Sequence, residues 1–353
     1  MRKKSLAIIG LLIGSILIGG CSRNTKDMVD IRKLVKEASI EESGEKLVIY
    51  SPHSLDFINN LIAEYENKTK VKVDIVSGAT GDLLEEIKKE SGDPKCDVFW
   101  GGAVTQLVGY SDYFDKYVSK NEDYILADYK NINGITGFSV VPSVLIVNTS
   151  LINPQEVNGY KDLLKPELKG KIASCSPEAS SSAYEHLVNA LNAMGNGKPE
   201  NGWGYIDKLI DNMDGVLFEK SSEVYSKVAS GEYAVGLTYE EGAIKSIAEG
   251  APVKCVYMEE GVICRADGCA VIKGAKHSKI AYEFIDFITN KDSQKMVGTI
   301  MNRRPVRGDV SLRADMLPYN KINILNDDAD WASNNKASLV ETFMKKWNSV
   351  NKK

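Results

Sequence analysis

The sequence predicts an α/β protein of two lobes with a cleft between them. Three observations carry this expectation: strand-forming and helix-forming stretches alternate from Lys46, the alternation starts afresh near Val140, and a strand-forming run recurs at Cys269–Ile272. Leu47 to Tyr50 is a run of β-formers that ends in the turn Ser51-Pro52-His53-Ser54. Leu55, Ile58, Leu61, Ile62 and Tyr65 follow at helical spacing. Val71, Val73 and Ile75 alternate as a half-buried strand does, and Ser77 to Gly81 is a turn leading to a helix through Leu83, Leu84 and Ile87. Asp97 to Trp100 is a third apolar burst, closed by Gly101-Gly102. Strand-helix-strand-helix-strand predicts a parallel sheet, whose ligands sit beyond the carboxyl ends of the strands.

The second series opens with Val144 to Asn148, passes a loop at Pro166 to Gly170, and forms a strand at Lys171 to Cys175. Ser180-Ser181-Ser182 then starts a helix through Tyr184, Leu187, Val188 and Leu191. After Cys269–Ile272 come a helix from Ile280 to Ile288 and another from Asp292. The organisation expected is residues 46–138 in lobe 1, 139–268 in lobe 2, and 269–353 as the return to lobe 1 with C-terminal helices. Two crossings of the chain make a hinge, and a hinge makes a cleft.

The N-terminus predicts export. Arg2, Lys3 and Lys4 precede an apolar run from Leu6 to Ile18, too short for an ordinary span, and Gly19-Gly20 stand before Cys21. Residues 1–20 read as a cleaved signal peptide. The order Ile-Gly-Gly-Cys resembles the bacterial lipobox, which implies a thioether-linked, palmitate-bearing lipid on Cys21. Residues 21–45 read as a tether, with a reach of roughly 25–30 Å as a flexible coil. Cleavage removes three positive charges and no acid, so the formal net charge goes from −4 to −7, leaving no basic surplus for nucleic acid. Cys96, Cys175, Cys255, Cys264 and Cys269 remain, an odd number without CxxC spacing; a Cys264–Cys269 pair and buried free thiols both stay open. No cofactor or metal site is indicated, and a monomer is expected.

Four turns expected to face the cleft precede helices and carry small hydroxyl residues or glycine: His53 and Ser54, Thr80 and Gly81, Ser180 to Ser182, and Ser221-Ser222. A helix start offers unpaired N–H groups and partial positive charge, so together these turns suit an anion, although any one of them serves equally as an ordinary N-cap. Tyr239 and Glu240 follow Gly236-Leu237; a carboxylate in such a cleft requires a donor such as a sugar hydroxyl or an amine. Glu240 and Glu241, read as strand residues, point to opposite faces, so one is expected in the cleft and the other in solvent. Trp100 either stacks on a sugar ring or closes the core. Arg303, Arg304 and Arg307 flank Pro305 and either meet an anionic group or fix their loop. Trp203, Trp331 and Trp347, and the histidines at 186 and 277, are expected in packing or at the surface. Three histidines, with no HExxH and no GxSxG, give no catalytic constellation, so no catalytic residue is expected.

In order and spacing, Leu47 to Ser54, Asp97 to Gly102, Leu145 to Asn148, Gly231 to Leu237, and Asp267 to Gly274 followed by Phe284 to Phe287 and Gln294 together resemble bacterial extracellular solute-binding proteins of the iron(III)/organophosphate branch. The resemblance implies the periplasmic-binding-protein-like fold of type II and an ABC permease as partner. It also implies a small anionic ligand, a hexose phosphate or related organophosphate before a phosphonate, captured on the outer face of the cell membrane or in the periplasm. A receptor feeding a membrane sensor has the same physics. In ferric members, iron is held by two adjacent tyrosines, a histidine after the first strand and a glutamate after the Asp-Val strand. Here Glu240 and Glu241 fall on the tyrosine pair, Tyr239 stands one place early, Gly102 falls on the glutamate, and His53 is one residue out. Ferric iron remains the alternative ligand, with its phenolate pair replaced.

Overall fold

The computed structural model describes residues 46–351 except Asp214 and Asp327. The signal peptide, Cys21 and the tether expected above lie outside the described residues. The first lobe begins as the alternation predicts. β1 (Lys46–Ser51), α1 (Leu55–Thr69), β2 (Lys72–Ser77), α2 (Thr80–Lys89), β3 (Val98–Ala103) and the short α3 (Val104–Val108) follow in order. β1 pairs in parallel with β2 from Lys46↔Lys72 to Ser51↔Ser77, and with β3 at Ile49↔Val98. Helices must cover such a sheet, and α1 does so with Ile58, Leu61, Ile62 and Tyr65, the positions set by its helical period.

β4 (Ile135–Asn148) is a long strand shared by the two lobes. Its first part, Ile135 to Pro142, pairs antiparallel with β9 (Cys264–Val271), and β9 pairs in turn with β3. Its second part, Ser143 to Asn148, pairs with β7 (Val235–Tyr239) and β8 (Val253–Val256). β5 (Ile172–Cys175) joins β7 in parallel, and β6 (Leu217–Phe218) joins β5. Around this second sheet lie α4 (Ser181–Met194), α5 (Trp203–Met213), α6 (Ser221–Ala229) and α7 (Glu240–Ala248). β4 and β9 are thus the two crossing strands of a two-lobed, type II periplasmic-binding-protein fold.

The chain returns through α8 (Ser278–Thr289) and α9 (Lys291–Thr299) to β10 (Arg304–Pro305), which pairs with β4 at Val140 and Ser139. Two helices follow, the short α10 (Ala329–Asn334) and the long α11 (Lys336–Asn351). One hydrophobic core joins residues from 47–138 with residues from 269–301, including Trp100, Phe138 and Phe284. The largest core of the second lobe takes in Ile322 and also Leu339, Phe343 and Trp347 of α11, and Met316 joins a neighbouring second-lobe cluster, so the chain packs on the second lobe from about residue 312 onward and not on the first, where the sequence placed it. Trp100 is fully buried, edge-on to Phe138 and Phe284, which makes it a core residue and removes it as a stacking platform. The five described cysteines are free thiols, four of them buried. Among the described residues no helix is long and apolar enough to cross a membrane.

His186 sits inside the second lobe, with Nε2 2.9 Å from the Val144 carbonyl and Nδ1 3.1 Å from the Tyr160 hydroxyl. A carbonyl only accepts, so Nε2 carries the proton and Nδ1 accepts from the tyrosine. Burial lowers its pKa from 6.5 to about 4. The unfolded chain therefore takes up a proton that the folded chain refuses. The stability associated with His186 is complete above pH 6.5 and is lost as the pH falls toward 4. The full loss is on the order of 3 kcal/mol at about 1.4 kcal/mol per unit. Urea unfolding at intervals from pH 7 to 4 should show this decline, and His186→Gln should make it shallower, with the buried His53 contributing in the same direction to what remains; an equally steep decline in the variant would remove His186 as a source.

Candidate functional site

A cavity of about 490 Å³ opens between the lobes where the strand ends and helix starts converge. Its first-lobe wall begins at the turn after β1. The Ser51 hydroxyl donates to the Trp100 carbonyl at 2.6 Å and accepts from the His53 amide at 3.2 Å, tying that turn to β3. Gly101 and Gly102 have φ of +126° and +73°, and a Cβ at Gly102 would stand 2.6 Å from Thr80. Only glycine lets the end of β3 come this close to the start of α2. His53, Ser54, Thr80 and Gly102, expected in the cleft, all line it. Gly81 does not; it is exposed one residue further along α2.

The second-lobe wall is formed where α4 and α6 begin side by side. Ser180 Oγ lies 2.6 Å from Ser221 Oγ and 3.1 Å from Ser182 Oγ, and Ser182 Oγ lies 2.8 Å from Ser221 Oγ. Ser181, Ser182 and Ser221 line the cavity, with Ser180 behind them; Ser222 is exposed and turned away. Of these turns, only Ser180 acts as an N-cap through its side chain, accepting from the Ala183 amide. Ser54 occupies the cap position of α1 without a side-chain bond, and the caps of α2 and α6 are Ala79 and Lys220. Helix capping therefore does not account for the hydroxyls of Ser54, Thr80 and Ser221.

Tyr239 lines the cavity, and burial holds its phenol well above the ordinary range, so the hydroxyl stays protonated. Glu240 requires correction. It opens α7 rather than continuing β7, it is 1% exposed, and both carboxylate oxygens are engaged by the Arg304 guanidinium, with the Tyr257 hydroxyl donating to Oε1. It lies behind the cleft, and the carboxylate that reaches the cavity is Glu241. The neighbour of the cleft glutamate is thus buried and ion-paired, where strand alternation placed it in solvent.

Glu241 is gripped by Arg303, whose Nε lies 2.9 Å from Oε2; Arg303 also bonds Asp267 through Nη1 and stacks 4.1 Å from the Phe57 ring centre. The two carboxylates outweigh burial and raise the Arg303 pKa, while burial raises that of Asp267 despite the arginine. His53 is packed on Phe57 and Trp100, with Nε2 3.9 Å from Asp267 and no hydrogen-bond partner. Burial, then the nearby Arg303 charge, hold its pKa well below 6.5, so the imidazole is neutral. Arg265, with Nε 3.1 Å from Glu185, completes a second charged pair on the cavity wall. Among the described residues no group of three or more His, Cys, Asp or Glu side chains is arranged to hold a metal.

Sequence reasoning had no role for Asp267, Arg265 or Glu185 and left Arg303 undecided. Asp267 and Arg265 sit on β9, the returning crossing strand. A strand of the hinge necessarily presents residues to the cleft, and that was the available signal. Of the remaining residues weighed above, Arg304 and Arg307 are buried away from the cavity, Trp203 packs against the second core, and His277 bonds Asp97.

Comparison with known proteins agrees with this architecture. Iron uptake protein A1 of Synechocystis is 23% identical over 324 residues, covering 88% of this chain and 87% of that protein. The periplasmic binding protein AfuA of Actinobacillus pleuropneumoniae, solved with fructose 6-phosphate bound, superposes with a TM-score of 0.71 at 21% identity, covering 87% of this chain and 99% of that one. The apo ferric ion-binding protein A of Pasteurella haemolytica gives a TM-score of 0.71 at 17% identity, over 86% of this chain and 98% of that one. At these identities the structures establish the fold alone. The family model described as bacterial extracellular solute-binding protein matches residues 60–322, and the chain belongs to that family.

Proposed function

We propose that this chain is the ligand-capturing component of an ABC importer, held outside the cell by the lipid on Cys21. Its ligand is a small phosphorylated organic molecule, with hexose phosphates first. The observation that carries this reading is the hydroxyl wall, where Ser180, Ser182 and Ser221 meet at the starts of α4 and α6 and face Thr80 at the start of α2. Backbone N–H groups, helix dipoles and rotatable hydroxyls together suit phosphate oxygens. Glu241 and Asp267 supply acceptors for hydroxyls at the other end of the ligand. The relative solved with fructose 6-phosphate is consistent with this choice.

Ferric iron is the second reading, since Tyr239, Glu241, Asp267 and His53 line the same cavity and relatives are named for iron. One feature favours the organic anion: Arg303 already occupies both carboxylates that a ferric ion would need. The first lobe, built from 46–138 and the return through about residue 301, and the second lobe, built from 139–268 and the C-terminal helices, close about β4 and β9 as the ligand bridges them; closure gains population through the extra contacts of the closed form. A permease, or a membrane sensor, reads the closed shape, and the ligand is released unchanged.

The test is a thermal-shift and calorimetric screen of the mature protein with fructose 6-phosphate, glucose 6-phosphate, glycerol phosphate, aminoethylphosphonate and ferric citrate. A hexose phosphate at 1,000 times its Kd should add about 4 kcal/mol of stability. A response to ferric citrate with none to any phosphate ester would transfer the assignment to iron.

A further inference from the structure

Three cations line the cleft, and two are already engaged. Arg303 is shared by Glu241 and Asp267, and Arg265 lies against Glu185. The third, Lys336, meets no carboxylate among the described residues; its ammonium stands 5.2 Å from the Tyr184 ring centre. Lys336 opens α11, and Ser333 at the end of α10 lines the same cavity. Both residues lie beyond residue 322, where the family match ends.

The helices that carry them are firmly seated. The Tyr184 hydroxyl donates to the carbonyl of the fully buried Ala332, and Leu339, Phe343 and Trp347 anchor α11 in the second-lobe core. α10 also lies against α3 of the first lobe. Lys336 is exposed, so water also solvates its ammonium, but beside an aromatic face and a cavity rich in serine hydroxyls it can add a charge-assisted bond to an anion bound there.

The geometry points to α10 and α11 as a third wall of the binding cleft, with Lys336 meeting the anionic group of the ligand beside Ser181, Ser182 and Ser221. This rests on the reading of the ligand as an anion and goes beyond it by naming the charge that selects one. Lys336→Met keeps the aliphatic stem over Tyr184 and removes the charge, whereas Lys336→Arg keeps the charge. Lys345→Met removes an equal charge from an exposed position of the same helix, where the lysine pairs with Glu341.

Orthophosphate is the probe, measured by calorimetry on the mature protein at two salt concentrations. Lys336→Met should weaken its binding about tenfold and lower the salt dependence, with Lys336→Arg within about threefold of wild type and Lys345→Met unchanged. Retention of wild-type affinity in Lys336→Met, an equal loss in Lys345→Met, or absence of saturable orthophosphate binding by the wild type would overturn the assignment. Hexose phosphates run in parallel judge the broader reading separately, which fails if they bind no better than orthophosphate.

Discussion

Replacing Arg304 with methionine should destabilise the protein by about 3–5 kcal/mol, because it strands a carboxylate inside the structure. Arg304 is fully buried and Glu240 is 1% exposed. The guanidinium bonds both carboxylate oxygens through Nε, each at 3.2 Å, and its Nη2 reaches the Tyr257 hydroxyl at 3.1 Å. Its centre also lies 4.6 Å from the Tyr319 ring centre. Once the arginine is gone, Glu240 has no other ion-pair partner among the described residues and must be protonated or drag water inward. Arg304 stands on β10, paired with the first part of β4, while Glu240 opens α7 in the second lobe, so the loss also frees the hinge from a cross-link. Adding Glu240→Gln to Arg304→Met should recover much of the loss, since no charge then remains buried. Urea denaturation of the three proteins decides it; a deficit below about 1 kcal/mol in the single variant would mean that the pair is solvated and carries little.

Ser221→Asp should leave the fold intact and lower affinity for a phosphorylated ligand by about 100-fold, on the scale of like-charge juxtaposition at a desolvated contact. Ser221 is the first residue of α6, where a carboxylate interacts favourably with the helix dipole, adding about 0.3–1 kcal/mol of stability. Ser180 and Ser182 stand within hydrogen-bond distance of that position and can donate to the new carboxylate. The carboxylate then occupies the oxyanion position as an internal competitor. For a cationic ligand or ferric iron the same substitution tightens binding, so the sign of the change separates the ligand classes. Calorimetry against fructose 6-phosphate and ferric citrate, with the melting temperature as a fold control, reads both effects.

Much of the fold was legible because it rests on local periods. Ile58, Leu61, Ile62 and Tyr65 are buried as a helical spacing demands, and β1 and β2 pair along their full lengths where alternation placed them. The turns after β1 and β2, and those that open α4 and α6, reach the cleft because strand ends in such sheets converge there. The C-terminal helices were harder to place. Leu339, Phe343 and Trp347 mark a buried face, but nothing local states which lobe that face meets.

The chain's own letters determined two α/β lobes, the crossing between them, and which turns border the opening, since hydrophobic period and turn chemistry act over a few residues. Only the tertiary structure decided how charges are shared inside that opening. Glu240 and Glu241 are adjacent at a helix start, and their opposite fates follow from Arg303 and Arg304, more than 60 positions later. Lys336 reaches the cavity by the way α11 seats on the second core. Pairings between residues so far apart leave no period to read, because they are set by how whole elements pack.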